Sequence, residues 1–177
     1  MSPTRTEVRL GTSSMKSEKS RSLKAFATLR FAGDMLDPEE LTLLLGIAPT
    51  RSYKKGERYH AGSRSDGVIG KTGVWYFSTD GVVRSGRLQD HLRVIADLIV
   101  GEPTYSKNTT RVSKLRRIVD RCSLRPVVTC FWHGSSGAKA PTIPRAFQEL
   151  IRQIHGFIET DFDVDIEESR RPRFAQA

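Results

Sequence analysis

The stretch PVVTCFWHGSSGAKAPTIPRAFQELIRQIHGFIETDFDVDI, residues 126–166, holds a strand, a glycine-rich loop, a helix and a second strand in one run. Val127 to Trp132 is a short β-branched and aromatic segment behind Pro126, which predicts a strand. Gly134 to Ala140 forms the loop and Pro144 opens a helix. Phe147, Leu150, Ile151 and Ile154 then recur at helical spacing before Gly156 ends it. From Phe157 to Ile166 the pattern alternates, with Phe162, Val164 and Ile166 on one face and Asp161, Asp163 and Asp165 on the other.

A similar plan occurs near the N-terminus. Ala25 to Phe31 reads as a strand, with Phe26, Thr28 and Arg30 alternating against Ala27, Leu29 and Phe31. Asp37 is placed to cap a helix, Pro38 fits its first position, and Glu40 completes an acidic first turn. Leu41, Leu44 and Leu45 form its apolar stripe, Gly46 suits a left-handed stop, and Pro49 blocks continuation. Thr50 to Gly73 lacks apolar periodicity and reads as a long loop, followed by a strand from Val74 to Ser78. Leu88, Leu92, Ile95 and Ile99 mark an amphipathic helix, a polar break spans Gly101 to Thr110, and a short helix covers Lys114 to Arg121. This order predicts an α+β domain in two layers: a four-stranded, mainly antiparallel sheet with helices on one face, ferredoxin-like in plan.

The 177 residues suit one core, and 37% hydrophobic with 28% charged residues is an ordinary globular balance. The boundaries follow composition: a basic tail over 1–24 expected to be disordered, one domain over 25–167, and a second tail over 168–177. Residues 1–24 hold six basic and two acidic side chains, and residues 168–177 hold three and one. The tails therefore carry +6 of the net +9 and leave +3 on the domain. Tail charge draws any polyanion closer but positions no base edge, so it is a weak argument for nucleic acid. No apolar stretch reaches the length of a membrane span and no secretory segment opens the chain, which places the protein in the cytoplasm. Cys122 and Cys130 are too sparse for a disulfide framework and read as reduced thiols, with Cys130 in the core.

Several short motifs invite chemistry. Gly70-Lys71-Thr72 is the tail of a phosphate-loop pattern, but Ser65 stands where that pattern needs glycine, and neither a preceding strand nor a following helix frames it. Lys71 is therefore retained as a surface cation at a turn. The run from Pro49 to His60 is the strongest binding candidate: Arg51, Lys54, Lys55 and Arg58 supply charge, and Tyr53 and Tyr59 supply rings able to stack on bases. Trp75 and Phe77 share one sheet face with Tyr76 on the other, an arrangement better suited to core packing than to RNA readout. Trp132 and His133 complete the candidate binding set. Cys130 and His133 are two potential ligands on opposite strand faces, short of a zinc site and poorly placed for a thiol nucleophile with its base. Three aspartates on one strand cannot converge on a cation without help from another strand, so no metal site is expected.

Taken together, Leu29-Arg30-Phe31-Ala32-Gly33-Asp34, Leu36-Asp37-Pro38-Glu39-Glu40 and Gly46-Ile47-Ala48-Pro49-Thr50-Arg51-Ser52 form a distinctive opening. Gly56, Lys71-Thr72-Gly73-Val74-Trp75, Cys130-Phe131-Trp132-His133 and the closing aspartate-rich strand follow in order. Over roughly residues 25–167 this resembles the bacterial family known as domain of unknown function 4279; Ile143 before Pro144 departs from its more usual small polar cap. The resemblance implies a fold and boundaries, and no activity, cofactor or catalytic residue. The expected role is a noncatalytic protein-interaction or regulatory domain, in the manner of an immunity or inhibitor protein, with another protein as partner and no cofactor. The alternative is a nucleic-acid module using residues 51–59, and a weaker one is a hydrolase-like enzyme using His133 with carboxylates of the last strand.

Overall fold

A computed structural model describes residues 22–60, 67–101 and 110–165. In chain order the elements are β1 (Ser22–Gly33), α1 (Pro38–Leu45), β2 (Arg51–Tyr53), β3 (Arg58–Tyr59), β4 (Val68–Ile69), β5 (Gly73–Ser78), α2 (Leu88–Val100), α3 (Arg111–Arg121), β6 (Arg125–Gly134), α4 (Arg145–Gln153) and β7 (Phe157–Val164). The tails expected at either end lie outside the described residues, apart from Ser22 to Lys24, which open β1.

The main sheet has five strands in the order β2-β5-β1-β6-β7, and β3 with β4 forms a separate two-stranded ribbon. This corrects the expectation of four strands. The fifth, β2, arises inside the segment read as loop, where three residues of no apolar period pair with β5. The sheet is mixed: β1 runs antiparallel to both β5 and β6, whereas β6 and β7 are parallel. In a split βαβ unit a strand intervenes between the parallel pair, but here β6 and β7 are direct neighbours joined through α4.

Alternation along the strands decides where the core lies. Ala25, Ala27, Leu29 and Phe31 of β1 are at most 5% exposed, and they join Trp75 and Phe77 of β5 and Val128, Cys130 and Trp132 of β6 in one cluster. Leu41 and Leu45 of α1, Leu92, Ile95 and Ile99 of α2, Leu115 of α3 and Phe147 and Ile151 of α4 enter that same cluster. Each fully buried Leu or Ile contributes about 1.5–3 kcal/mol relative to exposure. The small Ala25 and Ala27 lie on the strand against which α2 packs, leaving room for its isoleucines.

Local rules explain the helix ends. Asp37 accepts the Glu39 N–H at 3.3 Å, and Gly46 ends α1 at φ 71°, as the capping pattern predicts. Glu40 pairs with Arg121 instead of reaching back to the cap. Pro144 begins α4 without a side-chain cap, in keeping with Ile143 before it, and Gln148 Nε2 donates to the Ile143 carbonyl at 2.9 Å. Arg111 at the start of α3 donates to the Leu45 and Leu98 carbonyls at 3.3 and 3.1 Å, which ties the C-terminal ends of α1 and α2 together.

Candidate functional site

The Pro49 to His60 segment is tightly structured. Pairing of β2 with β5 and of β3 with β4 brings Tyr53 and Tyr59 face to face, with ring centroids 4.0 Å apart and planes 3° apart. Gly56, at φ 82°, donates its N–H to the Gly70 carbonyl at 2.8 Å, and Gly70 returns a bond to the Glu57 carbonyl at 2.9 Å. A side chain at position 70 would meet the Tyr53 ring at 2.7 Å, so glycine is required there by close approach. Burial and the neighbouring Tyr59 hydroxyl push the Tyr53 phenol upward from its ordinary range.

The charges of this segment are answered locally. Lys54 lies 3.2 Å from Asp37, whose carboxylate raises the ammonium above its ordinary value, and Lys55 pairs with Asp34. Hydrogen bonds from Lys55 and then Thr72 hold the Asp34 carboxyl below the usual range. Lys71 is exposed at the turn into β5, and Arg58 is exposed on β3. The structure thus brings Tyr53, Lys54, Lys55 and Tyr59 together, but each ring has the other as its stacking partner and each lysine has a carboxylate.

Arg51 shares the sheet face of Tyr53, two residues along β2, and His133 lies on that same face farther across the sheet. In register, Arg51, Tyr76, Arg30 and Val127 follow one another across the sheet, as do Phe26, Phe131 and Asp161, and then Lys24, His133 and Asp163. These residues lie on the side that contributes nothing to the core cluster. Phe26 and Phe131 stack at 4.7 Å, both half-buried, and Lys24 lies over the Phe26 ring. Arginines 30, 51 and 125 occupy one end of this face, while Glu159, Asp161 and Asp163 of β7 line its far side. Phe26, Arg30, Tyr76 and Phe131 belong to no binding motif in the sequence; the alternation of Phe26, Thr28 and Arg30 against the core residues of β1 is the local signal for this face.

Trp132, in contrast, is 4% exposed and packs edge-on against Phe162 at 6.2 Å, so it belongs to the core. Cys130 points the same way and burial pushes its thiol up to about 12, which leaves no nucleophilic thiolate near neutrality. His133 faces the opposite side, with Nε2 2.9 Å from Asp165 Oδ1. That pair matches the histidine and carboxylate of the enzyme reading in proximity, but the cavities beside α1, between α2 and α4, and between α4 and β7 are lined by neither residue. Among the described residues, no group of three or more His, Cys, Asp or Glu side chains is arranged to hold a metal ion, and no helix is long and apolar enough to cross a membrane.

The order of these motifs, now set on their strands and turns, coincides with a family model, domain of unknown function 4279, which matches residues 21–165. The chain belongs to this family. Its model thus reaches from the start of β1 to the residue after β7, and takes in every element of the main sheet in this 4279-family chain. No match was found among the curated proteins or among the solved structures.

Proposed function

We propose that this chain is a noncatalytic protein-interaction domain, formed by residues 25–167 as a two-layer unit, whose contact surface is the sheet face turned away from the core. One observation carries this reading: that face is bipolar, with arginines 30, 51 and 125 at one end, a stacked aromatic pair inside it, and the β7 carboxylates opposite. A polyanion laid across it would meet Glu159, Asp161 and Asp163, whereas a protein with complementary charge satisfies both ends. Aromatic and arginine side chains are also the types that dominate protein interfaces. Action in the cytoplasm is in keeping with two unbonded, buried thiols.

The nucleic-acid alternative loses support from the stacked Tyr53 and Tyr59 rings and from the paired lysines, since single-strand binders keep aromatic faces and cations free. The test is affinity capture of the tagged full chain from its native cells, with nuclease and moderate salt, beside a Phe131→Asp variant. A discrete protein retained by the parent and lost from the variant is expected. Recovery of nucleic acid that depends on Arg30 and Tyr76 sinks the docking reading.

A further inference from the structure

We propose that the outer edge of β7 is a strand-addition site for an extended segment of another protein in which basic and apolar residues alternate. This rests on the docking reading and gives the partner its chemistry. β7 ends the sheet, with no strand beyond it among the described residues. Its eight residues contain neither Pro nor Lys, and its charges are all carboxylates, which blunt the edge against acidic strands and not against basic ones, whereas the opposite edge strand, β2, is only three residues long.

The backbone of β7 is already aimed for such a contact. Asp165 donates its N–H inward to the Gly134 carbonyl at 2.9 Å. Strand alternation therefore turns the backbone groups of residues 157, 159, 161 and 163 toward β6, and those of 158, 160, 162 and 164 outward. The Val164 N–H is taken by the Asp163 carboxylate at 2.9 Å. Ile158, Thr160 and Phe162 thus present outward N–H and C=O groups without a partner among the described residues.

The side chains specify what pairs there. Glu159, Asp161 and Asp163 stand about 7 Å apart on the open face, exposed, and they form no ion pair among the described residues. A second β7 placed alongside would set like charges opposite one another, so the row disfavours pairing with a copy of this chain and favours lysine or arginine. On the other face Ile158, Phe162 and Val164 are half-buried against the core. A cavity of about 360 Å³ between α4 and the start of β7, lined by Ile143, Ile151 and Ile158, opens beside them. An apolar side chain of the added strand fills it. The docked segment therefore reads base, apolar, base, apolar, with main-chain bonds giving affinity and the two faces giving register.

The probe is a fluorescent peptide of alternating lysine and valine, matched to β7 in length, with a same-composition peptide that segregates its lysines from its valines. Anisotropy titrations with the full chain are expected to show the alternating peptide binding at least about tenfold more tightly. Thr160→Pro removes one outward N–H and leaves the ladder to β6 intact, and it should abolish that preference. Glu159→Gln with Asp161→Asn and Asp163→Asn should remove most of the salt dependence. Should Thr160→Pro fail to fold, N-methylation of the peptide amides that face β7 tests the same bonds from the other side. Equal binding of both peptides, or indifference to both the proline and the N-methyl groups, overturns the proposal, and so does displacement of the peptide by this chain's own residues 1–24. If a protein sensitive to Phe131→Asp is captured yet holds on to the Thr160→Pro chain, the edge inference falls and the docking reading stands. No captured protein at all ends the docking reading itself.

Discussion

Thr79 is fully buried, yet its hydroxyl oxygen accepts the Ala27 N–H at 2.8 Å and lies 2.7 Å from His91 Nδ1. His91 Nε2 donates to the Ser85 carbonyl at 2.9 Å, and the Thr79 hydroxyl donates to the Ala27 carbonyl at 2.9 Å. Thr79→Val leaves both the Ala27 N–H and the ring nitrogen unsatisfied in the core, and denaturant unfolding should show a loss of about 2–4 kcal/mol. Asp34 gives a pH prediction. Its folded pKa lies below the unfolded value because Lys55 and Thr72 hydrogen-bond to the carboxylate. Its stabilising contribution is therefore complete above about pH 4, the range of an ordinary aspartate, and disappears as pH falls through the lower folded value. A carboxyl NMR titration should place Asp34 below the ordinary aspartate value, and Lys55→Ala should return it toward that value. The sequence announced the types at this site but not their pairings: Asp34 and Lys55 are 21 residues apart, and nothing in local spacing reveals that a turn brings them together.

Elements with a strong period were legible, and those held only by partners were not. α1, α2 and α4 carry apolar stripes, and β5, β6 and β7 carry alternation or β-branched runs, so their positions follow from the residues themselves. β2, β3 and β4 are two or three residues each, with side chains mostly polar or half-exposed, and they exist because Tyr53 stacks on Tyr59 and Gly70 admits that ring. Arg111 is a further case in which an element depends on a remote side chain. Its guanidinium satisfies carbonyls at the ends of α1 and α2, and Gly101, at φ 71°, leaves it space: a Cβ there would come within 2.4 Å of Nε. Arg111→Leu keeps much of the packing volume but removes both charged donors. Urea unfolding should register a loss of about 1.5–3 kcal/mol, toward the lower end because the group is only partly buried, and an unchanged midpoint would show that water replaces it.

At the scale of the whole molecule the deciding fact is that β1 is central, receiving β5 from one side and β6 from the other. The N-terminal and C-terminal halves each look like a strand-helix-strand unit, and from that resemblance alone a ferredoxin-like interleaving is the natural expectation. Periodicity identifies strands and faces, but neighbours are chosen by long-range pairing, which leaves no local trace. One consequence is that the core cannot open on one side of β1 without disturbing the other. Cys130 tests this, because it lies opposite Ala27 on β1, is fully buried, and has its thiol pushed up to about 12 by burial. At pH 8 only about one thiol in ten thousand would be thiolate in the native state, so alkylation must pass through opening of the sheet. The rate of Cys130 modification in a Cys122→Ala variant should match the slowest amide exchange of β1 across a series of mild urea concentrations, with the same dependence on denaturant. If Cys130 instead reacts quickly while the Ala27 and Leu29 amides stay protected, β6 detaches from β1 locally. The two halves would then be separable units that share a strand, and cooperative unfolding of the sheet would be excluded.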